Sequence, residues 1–196
     1  MRKILKQIEK HAIKNGVPIL HKKSRRLLVK LVKPFCNRNI LEIGTGTGYS
    51  GILMLANSKK STLITIDKSP DRFNIANQNF KVAGLIDRVN MQNIDAIEFL
   101  EACTQKFDII FFDAAMHKYK EMFLLAKKML MDNGIMIFDN VLKLEKTNKT
   151  NETKILEKVG EFLGLVKNDS DFTIKVYDIG EGVCVLNKQA DNCQSH

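Results

Sequence analysis

The sequence predicts an α/β fold: a doubly wound, Rossmann-like sheet of mostly parallel strands, with two N-terminal helices and a C-terminal antiparallel hairpin. Three observations support this. Short apolar strands alternate with helical segments, a glycine-rich turn follows the first strand, and later strands end in an acid. Such alternation is typical of βαβ units, which form a parallel sheet covered by helices on both faces.

Two helices are predicted at the N-terminus. Apolar residues recur at helical spacing over residues 2–14, and Asn15-Gly-Val-Pro18 then interrupts the pattern. A second helix is predicted from about Ser24, whose hydroxyl makes it a good N-cap. The α/β part of the chain therefore starts after residue 38.

Strands and helices then alternate to the end of the chain. The predicted strands are 39–43, 62–66, 87–91, 107–112 and 134–138, and the helical segments between them are about 48–57, 70–83, 95–103 and 118–131. A polar stretch at 143–154, expected to be a mobile loop, precedes a helix that ends near Leu165. Strands at 172–177 and 182–186 are predicted to form a hairpin.

Length and composition indicate one globular domain. The 196 residues suffice for a core, and the apolar fraction of 44% excludes a disordered chain. We expect a single domain over 1–196, with a basic helical segment at 1–38, an α/β core at 39–188 and a polar tail at 189–196. No apolar run reaches the roughly 20 residues that cross a bilayer, and the charged start is not a signal peptide. A cytoplasmic protein without membrane contact is therefore expected.

The four cysteines form no C-x-x-C pair, which argues against a zinc site. We expect free thiols, with Cys36, Cys103 and Cys184 buried as small apolar residues.

Positive charge is concentrated in the N-terminal segment. Of the 31 Lys and Arg residues, 12 lie in residues 1–38, whereas Glu9 is the single one of the 22 acids found there. Such asymmetry indicates contact with a polyanion, RNA being the obvious candidate. A well-solvated pair of lysine-rich helices is the alternative, and the sequence leaves it open.

The strand ends indicate a binding crevice, because ligands of open α/β sheets bind beyond the carboxyl ends of the strands. The first turn reads Glu42-Ile-Gly-Thr-Gly-Thr-Gly48. Its acid would repel a pyrophosphate, which argues against a dehydrogenase, but suits the ammonium group of S-adenosylmethionine. Asp67 would accept hydrogen bonds from the ribose hydroxyls, and Asp95-Ala96 would lie beside the adenine. Glycines that serve only tight packing are the alternative.

Four motifs resemble those of one enzyme family. Leu41–Ser50, Phe112–Tyr119 and Phe138–Leu142 resemble three signatures of the catechol and caffeoyl-CoA O-methyltransferase group of class I methyltransferases. Asn15–Ile19 resembles a segment of its bacterial members, among them the enzyme that methylates 5-hydroxyuridine in tRNA. The resemblance covers about residues 12–188. It implies an S-adenosylmethionine-dependent O-methyltransferase and a homodimer.

In that group an aspartate ending the fourth strand and an Asp-Asn pair ending the fifth hold a metal. The resemblance thus implies Asp113, Asp139 and Asn140 as ligands. Two carboxylates and an amide oxygen are hard ligands that suit Mg²⁺ or Mn²⁺, although an ordinary turn would also explain Asp139-Asn140. With the glycine turn, the predicted cofactor-binding residues are Glu42, Gly44, Thr45, Gly46, Gly48, Ser50, Asp67, Lys68, Asp95, Ala96 and Asp113.

One departure from the group concerns the general base. The group has a lysine three residues after the first metal aspartate, and this chain has Met116, which cannot take a proton. His117 and Lys118 follow at once, so Asp113, His117 and Lys118 are the predicted catalytic residues. Three hypotheses stay open: a displaced base, an acidic substrate hydroxyl, or a weak enzyme. Equally, His117 and Lys118 would be expected in a solvated helical turn.

Together these features predict a magnesium-dependent O-methyltransferase that acts on 5-hydroxyuridine in tRNA and binds it through the basic segment. A small catechol-like acceptor is the first alternative, because a small buried diol needs no basic surface. A module that binds S-adenosylmethionine with weak turnover is the second, and Met116 is its support.

Overall fold

The computed structural model of the protein describes residues 1–14, 16–142 and 150–190, with side chains from residue 154 onward in the last range. The helices are α1 (Arg2–Lys14), α2 (Lys22–Val32), α3 (Tyr49–Asn57), α4 (Pro70–Val82), α5 (Ala96–Ala102), α6 (Tyr119–Ala126) and α7 (Thr150–Lys167). The strands are β1 (Asn39–Ile43), β2 (Thr62–Ile66), β3 (Val89–Gln92), β4 (Phe107–Phe112), β5 (Leu130–Asp139), β6 (Phe172–Tyr177) and β7 (Val183–Lys188).

These strands form one sheet in the order β3-β2-β1-β4-β5-β7-β6. Strands β1 to β5 are parallel, and β7 runs antiparallel to both β5 and β6. The predicted α/β fold with its C-terminal hairpin is thereby confirmed. The strand order reverses between β1 and β4, so a crevice opens at the carboxyl ends of these two strands.

Two apolar cores cover the two faces of the sheet. Alternate residues of β4 serve each of them, because successive side chains of a strand point to opposite faces: Ile109 and Phe111 pack with α1 to α4, and Ile110 and Phe112 with α5 to α7. Phe112 stacks on Phe138 with ring centroids 4.1 Å apart. Since these rings immediately precede Asp113 and Asp139, their packing fixes the two acids on neighbouring strand ends.

Several predicted boundaries are wrong, each for a tertiary reason. Helix α2 begins at Lys22 with His21 as its N-cap, because Ser24 is buried inside the first turn. The segment predicted as helix 118–131 ends at Ala126, and β5 starts at Leu130, where Leu130 pairs with Phe107 of β4. Apolar residues that fit a helical period are thus recruited to the sheet by pairing.

The cysteines are free thiols in the described residues, but the predicted burial of Cys36 is wrong. Cys36 is exposed just after α2, Cys103 is half-buried and Cys184 is buried in β7. No helix of the described ranges has the length and apolar character needed to span a bilayer. The predicted polar loop falls mainly on residues 143–149 and the end of the tail on 191–196, which lie outside the described residues.

Candidate functional site

The turn between β1 and α3 is built to touch the end of β4. Gly44 has a φ of +105°, and a Cβ at this position would overlap the carbonyl oxygen of Asp113. A side chain is therefore excluded on both conformational and steric grounds. Gly48, with a φ of +77°, packs instead against Ala76 and Phe80 of α4. It closes the turn from behind and does not line the crevice.

Glu42 lies behind this turn, fully buried. Ser50 donates a hydrogen bond to its Oε1 at 2.5 Å, and Thr65 donates to its Oε2 at 2.6 Å. Burial raises its pKa to about 7 despite these donors. Both oxygens are engaged and Glu42 does not line the cavity. In this structure the acid ties β1 to β2 and α3 instead of facing the predicted ammonium site.

A cavity of about 380 Å³ opens at the carboxyl ends of β1, β2 and β4. Its walls bring together most of the predicted site residues: Gly44, Thr45, Gly46, Ser50, Asp67, Lys68, Asp95, Ala96, Asp113, His117 and Lys118. Residues 17–20, Tyr49, Arg72, Ile94 and Met122 also line it and were not predicted. Residues 17–20 lie far from the strand ends in sequence, so the position of the strand ends could not indicate them. The motif Asn15–Ile19 was the signal that could have done so.

Asp67 is anchored at the end of β2. Its Oδ2 accepts a hydrogen bond from the backbone N–H of Gly46 at 3.0 Å, and its Oδ1 accepts one from Ser69 at 2.9 Å. Each carboxylate oxygen has a further lone pair, so the group can still accept two hydroxyls from a ligand. Asp95 caps α5 by accepting from the N–H of Ile97 at 2.9 Å. Both acids are thereby oriented before any ligand arrives.

Asp113, Asp139 and Asn140 meet beside the cavity. The Asn140 amide donates to Asp113 Oδ1 at 3.2 Å, and its backbone is left-handed at φ +63°. Tyr119 fixes the end of β5 by donating its hydroxyl to the Asp139 carbonyl at 2.8 Å. Asp139 Oδ1 is buried without a hydrogen-bond partner in the described part of the chain. Burial, and next the negative charge of Asp113, raise the pKa of Asp139 to about 7.

The residues after Asp113 divide between core and cavity. Met116 begins a 3₁₀ turn that ends at Lys118, and it packs half-buried against the core beside α6. His117 is exposed and Lys118 half-buried, and both line the cavity. Met116 therefore makes an apolar contact where the family resemblance leads us to expect a lysine, while His117 and Lys118 both face the cavity.

Arg25 connects the N-terminal segment to the cavity. Its Nε donates to the Leu20 carbonyl at 2.6 Å, and its guanidinium donates to the Tyr49 hydroxyl at 3.0 Å. It also pairs with Glu9 at 2.9 Å and lies over the Tyr49 ring. This arginine holds residues 17–20 against the cavity and is not available to a polyanion.

Most other bases of residues 1–38 are exposed. Arg38 pairs with Asp108 at 3.2 Å. The exposed remainder comprises Arg2, Lys3, Lys6, Lys10, Lys14, Lys22, Lys23, Arg26, Lys30 and Lys33.

The apolar face of α1 is partly used within the chain. Ile8 and Ala12 are buried there, which leaves less of this face for the predicted dimer.

A family profile described as O-methyltransferase matches residues 1–189 of the chain. Among curated relatives, a catechol O-methyltransferase of Niastella koreensis is 33% identical over 132 residues, covering 64% of this chain and 60% of that protein. A caffeoyl-CoA O-methyltransferase of Populus kitakamiensis is 28% identical over 176 residues, covering 83% and 75%. The chain thus spans less than two thirds of the Niastella relative.

Solved structures match the fold along nearly the whole chain. A candidate caffeoyl-CoA O-methyltransferase from Staphylococcus aureus superimposes with a TM-score of 0.86 at 26% identity, covering 94% of this chain and 91% of that one. An O-methyltransferase from Bacillus cereus, crystallised with S-adenosylhomocysteine (SAH), gives 0.81 at 23% identity, covering 95% and 91%. The second match concerns the fold alone.

Proposed function

The chain belongs to the O-methyltransferase family, and we propose that it transfers the methyl group of S-adenosylmethionine to a hydroxyl oxygen with the help of a divalent cation. One observation carries this proposal. A single cavity is lined by the glycine turn and by the strand-end acids Asp67, Asp95 and Asp113, and beside it lies the buried Asp139, whose Oδ1 has no hydrogen-bond partner among the described residues.

The lining chemistry suits S-adenosylmethionine. Gly44 and Gly46 present bare backbone to the cofactor, and Asp67 retains lone pairs for the two ribose hydroxyls. Asp95 and Ala96 line the neighbouring wall, where we assign the adenine. A methyl donor held in this way needs only an oriented acceptor oxygen, since proximity and alignment supply much of the rate.

The trio Asp113, Asp139 and Asn140 fits a hard divalent cation such as Mg²⁺ or Mn²⁺. No group of three or more His, Cys, Asp or Glu side chains poised for a metal occurs in the described ranges, so this site depends on two carboxylates and one amide. The buried Asp139 Oδ1, which has no hydrogen-bond donor among the described residues, fits a place for a positive charge. A cation held there would supply Lewis-acid chemistry that lowers the pKa of a substrate hydroxyl.

We assign removal of the acceptor proton to Lys118 or His117, because both line the cavity beside Asp113. Met116 packs on the core and takes no part. General-base catalysis typically raises a rate ~10²–10⁴-fold. Loss of the true base is therefore expected to lower the rate of methyl transfer even with a metal present. Lys118→Met and His117→Phe, each compared with wild type across pH, would identify it. A pH–rate profile unchanged in both variants would show that neither side chain takes up the proton.

We propose 5-hydroxyuridine in tRNA as the acceptor, with the exposed bases of α1 and α2 neutralising phosphates. The second candidate is a small catechol-like molecule, and the Niastella relative's name favours it. Salt separates the two. Neutralised phosphates release counterions, so affinity for tRNA falls steeply with salt, whereas affinity for a neutral catechol does not.

The deciding assay is methyl transfer from labelled S-adenosylmethionine to tRNA lacking the wobble modification, run with Mg²⁺ and with EDTA. Label in tRNA that EDTA abolishes supports both the metal and the acceptor. EDTA-sensitive label in a catechol, with none in tRNA, keeps the reaction and rejects the RNA. Binding of S-adenosylmethionine without transfer to either acceptor would favour a module with weak turnover.

The RNA surface has a matched test. The first triple variant, Lys22→Glu, Lys23→Glu and Arg26→Glu, reverses three exposed charges of α2. The control triple variant, Lys59→Glu, Lys81→Glu and Lys128→Glu, reverses three exposed charges elsewhere. The first variant is expected to bind tRNA about tenfold more weakly and with a smaller salt slope. Equal weakening by both variants would reject a specific surface. The predicted homodimer is tested separately by sedimentation equilibrium.

A further inference from the structure

Two polar atoms at the proposed metal site are buried and lack a hydrogen-bond partner among the described residues: the hydroxyl oxygen of Ser24 and Asp139 Oδ1. Both residues are only 3% exposed. One atom carries a proton to donate and the other accepts. Burying a polar group without a hydrogen-bond partner is destabilising, so two complementary groups of this kind need an explanation.

Close packing holds Ser24 in place. It lies in the first turn of α2, against the connection between β6 and β7. A Cβ on Gly180 would lie 2.7 Å from the Ser24 hydroxyl oxygen and 2.9 Å from Cβ of His21. The helix start therefore rests directly on this connection. The same connection is hydrogen-bonded to the residues just after Asp139: the N–H of Val141 donates to the Gly182 carbonyl at 3.1 Å, and that of Leu142 to the Glu181 carbonyl at 2.8 Å. The start of α2 therefore lies beside the end of β5.

We propose that Ser24 is a positioning residue whose hydroxyl donates to the Asp139 carboxylate and orients it toward a cation shared with Asp113 and Asn140. The inference rests on the proposed function, because it requires that cation. A carboxylate oxygen has lone pairs for both a metal and a hydrogen bond. Partners that hold metal-ligating carboxylates are typically worth 10–100-fold in metal affinity or activity.

The test is Mn²⁺ affinity, measured by isothermal titration calorimetry on the full chain saturated with SAH. Ser24→Ala is expected to weaken Mn²⁺ binding about tenfold while SAH affinity stays unchanged. Ser61→Ala is the control, since Ser61 is equally buried but lies at the opposite edge of the sheet, before β2. It is expected to lower the unfolding midpoint without changing Mn²⁺ affinity.

A second pair of variants separates the hydroxyl from packing. Ser24→Thr and Ser24→Val have the same shape and differ only in the hydroxyl group. The Thr variant is expected to bind Mn²⁺ about tenfold more tightly than the Val variant. Equal affinities in this pair, or wild-type affinity in Ser24→Ala, would overturn the positioning role alone. A wild-type chain without saturable Mn²⁺ binding would overturn this role together with the proposed metal site.

Discussion

Two buried carboxylates at neighbouring strand ends have similar pKa values but different surroundings. Burial raises the pKa of both Glu42, in β1, and Asp139, at the end of β5, to about 7. Hydroxyl groups occupy both oxygens of Glu42, whereas Asp139 Oδ1 has no partner in the described part of the chain. A raised pKa therefore does not by itself separate a structural acid from a ligand-binding one. The distinction lies in whether each carboxylate oxygen has a hydrogen-bond donor.

The difference follows from where each acid lies. Glu42 is enclosed by β2 and α3, whose side chains supply the donors locally. Asp139 lies where β5, α2 and the β6–β7 connection meet, and its main chain, not its side chain, receives the Tyr119 hydroxyl. A buried carboxylate oxygen without a hydrogen-bond donor would be stabilised by a bound cation.

The largest expected effect is on Asp139→Asn. Removing the charge is expected to lower methyl transfer at least ~10²-fold, because a cation then lacks an anionic ligand. At pH 8 the same variant is expected to unfold at higher urea concentration than wild type, because it no longer buries an uncompensated carboxylate. SAH affinity is the control and stays unchanged. Full activity, or lower stability at pH 8, would contradict the contrast with Glu42.

Gly44→Ala tests the contact between the two strand ends. Its φ of +105° and the overlap with the Asp113 carbonyl predict a loss of about 3 kcal/mol in the free energy of unfolding, and weaker SAH binding. Gly46→Ala is the matched control, because its φ is +53° and its Cβ meets nothing within 4 Å. It is expected to cost about 1 kcal/mol. Similar losses of unfolding free energy in both variants would show that the left-handed backbone conformation, and not the overlap with the Asp113 carbonyl, causes the loss.

Glu42→Gln sharpens the comparison through pH. The pKa of Glu42 is about 7 in the folded chain and 4.5 unfolded, so its stabilising contribution is complete below pH 4.5 and is lost as the pH rises to 7. Relative to wild type, the variant is expected to gain about 3 kcal/mol between pH 4.5 and pH 8. Urea unfolding at several pH values measures this. If the unfolding free energies of wild type and variant change in parallel with pH, the pKa of Glu42 is not raised in the folded chain.

The strand ends show which features a single sequence can predict. The alternation of short apolar segments identified β1, β2 and β4 with correct bounds, because these strands are buried on both faces and carry the signal locally. The rule that ligands bind at the carboxyl ends of parallel strands predicts one crevice for Gly44, Asp67, Asp95, Asp113 and Asp139. The first four line one cavity, and Asp139 is not among its lining residues. The predicted strand starts at Gly134, whereas β5 starts at Leu130, because Leu130 pairs with the distant Phe107 ahead of an irregularity in the register.

The candidate site shows the limits of that approach. Glu42 was read as facing the ligand, since its position before the turn says nothing about the hydroxyls of Ser50 and Thr65 that enclose it. Arg25 is one of the twelve bases in residues 1–38 that suggest a polyanion contact, yet it bridges Glu9, Leu20 and Tyr49. Partners of long or buried side chains come from other elements, and local pattern does not report them.

The sequence by itself determined the strand–helix alternation, the glycine turn that only residues without a Cβ can form, and the acids that end the parallel strands. Each of these is a local property of residue type and spacing. Only the tertiary structure decided which acid has donors for both oxygens and which does not, and that Ser24 of α2 packs on the β6–β7 connection next to the end of β5. The physical reason is that burial and hydrogen-bond satisfaction depend on side chains from distant parts of the chain, which meet only when the elements pack.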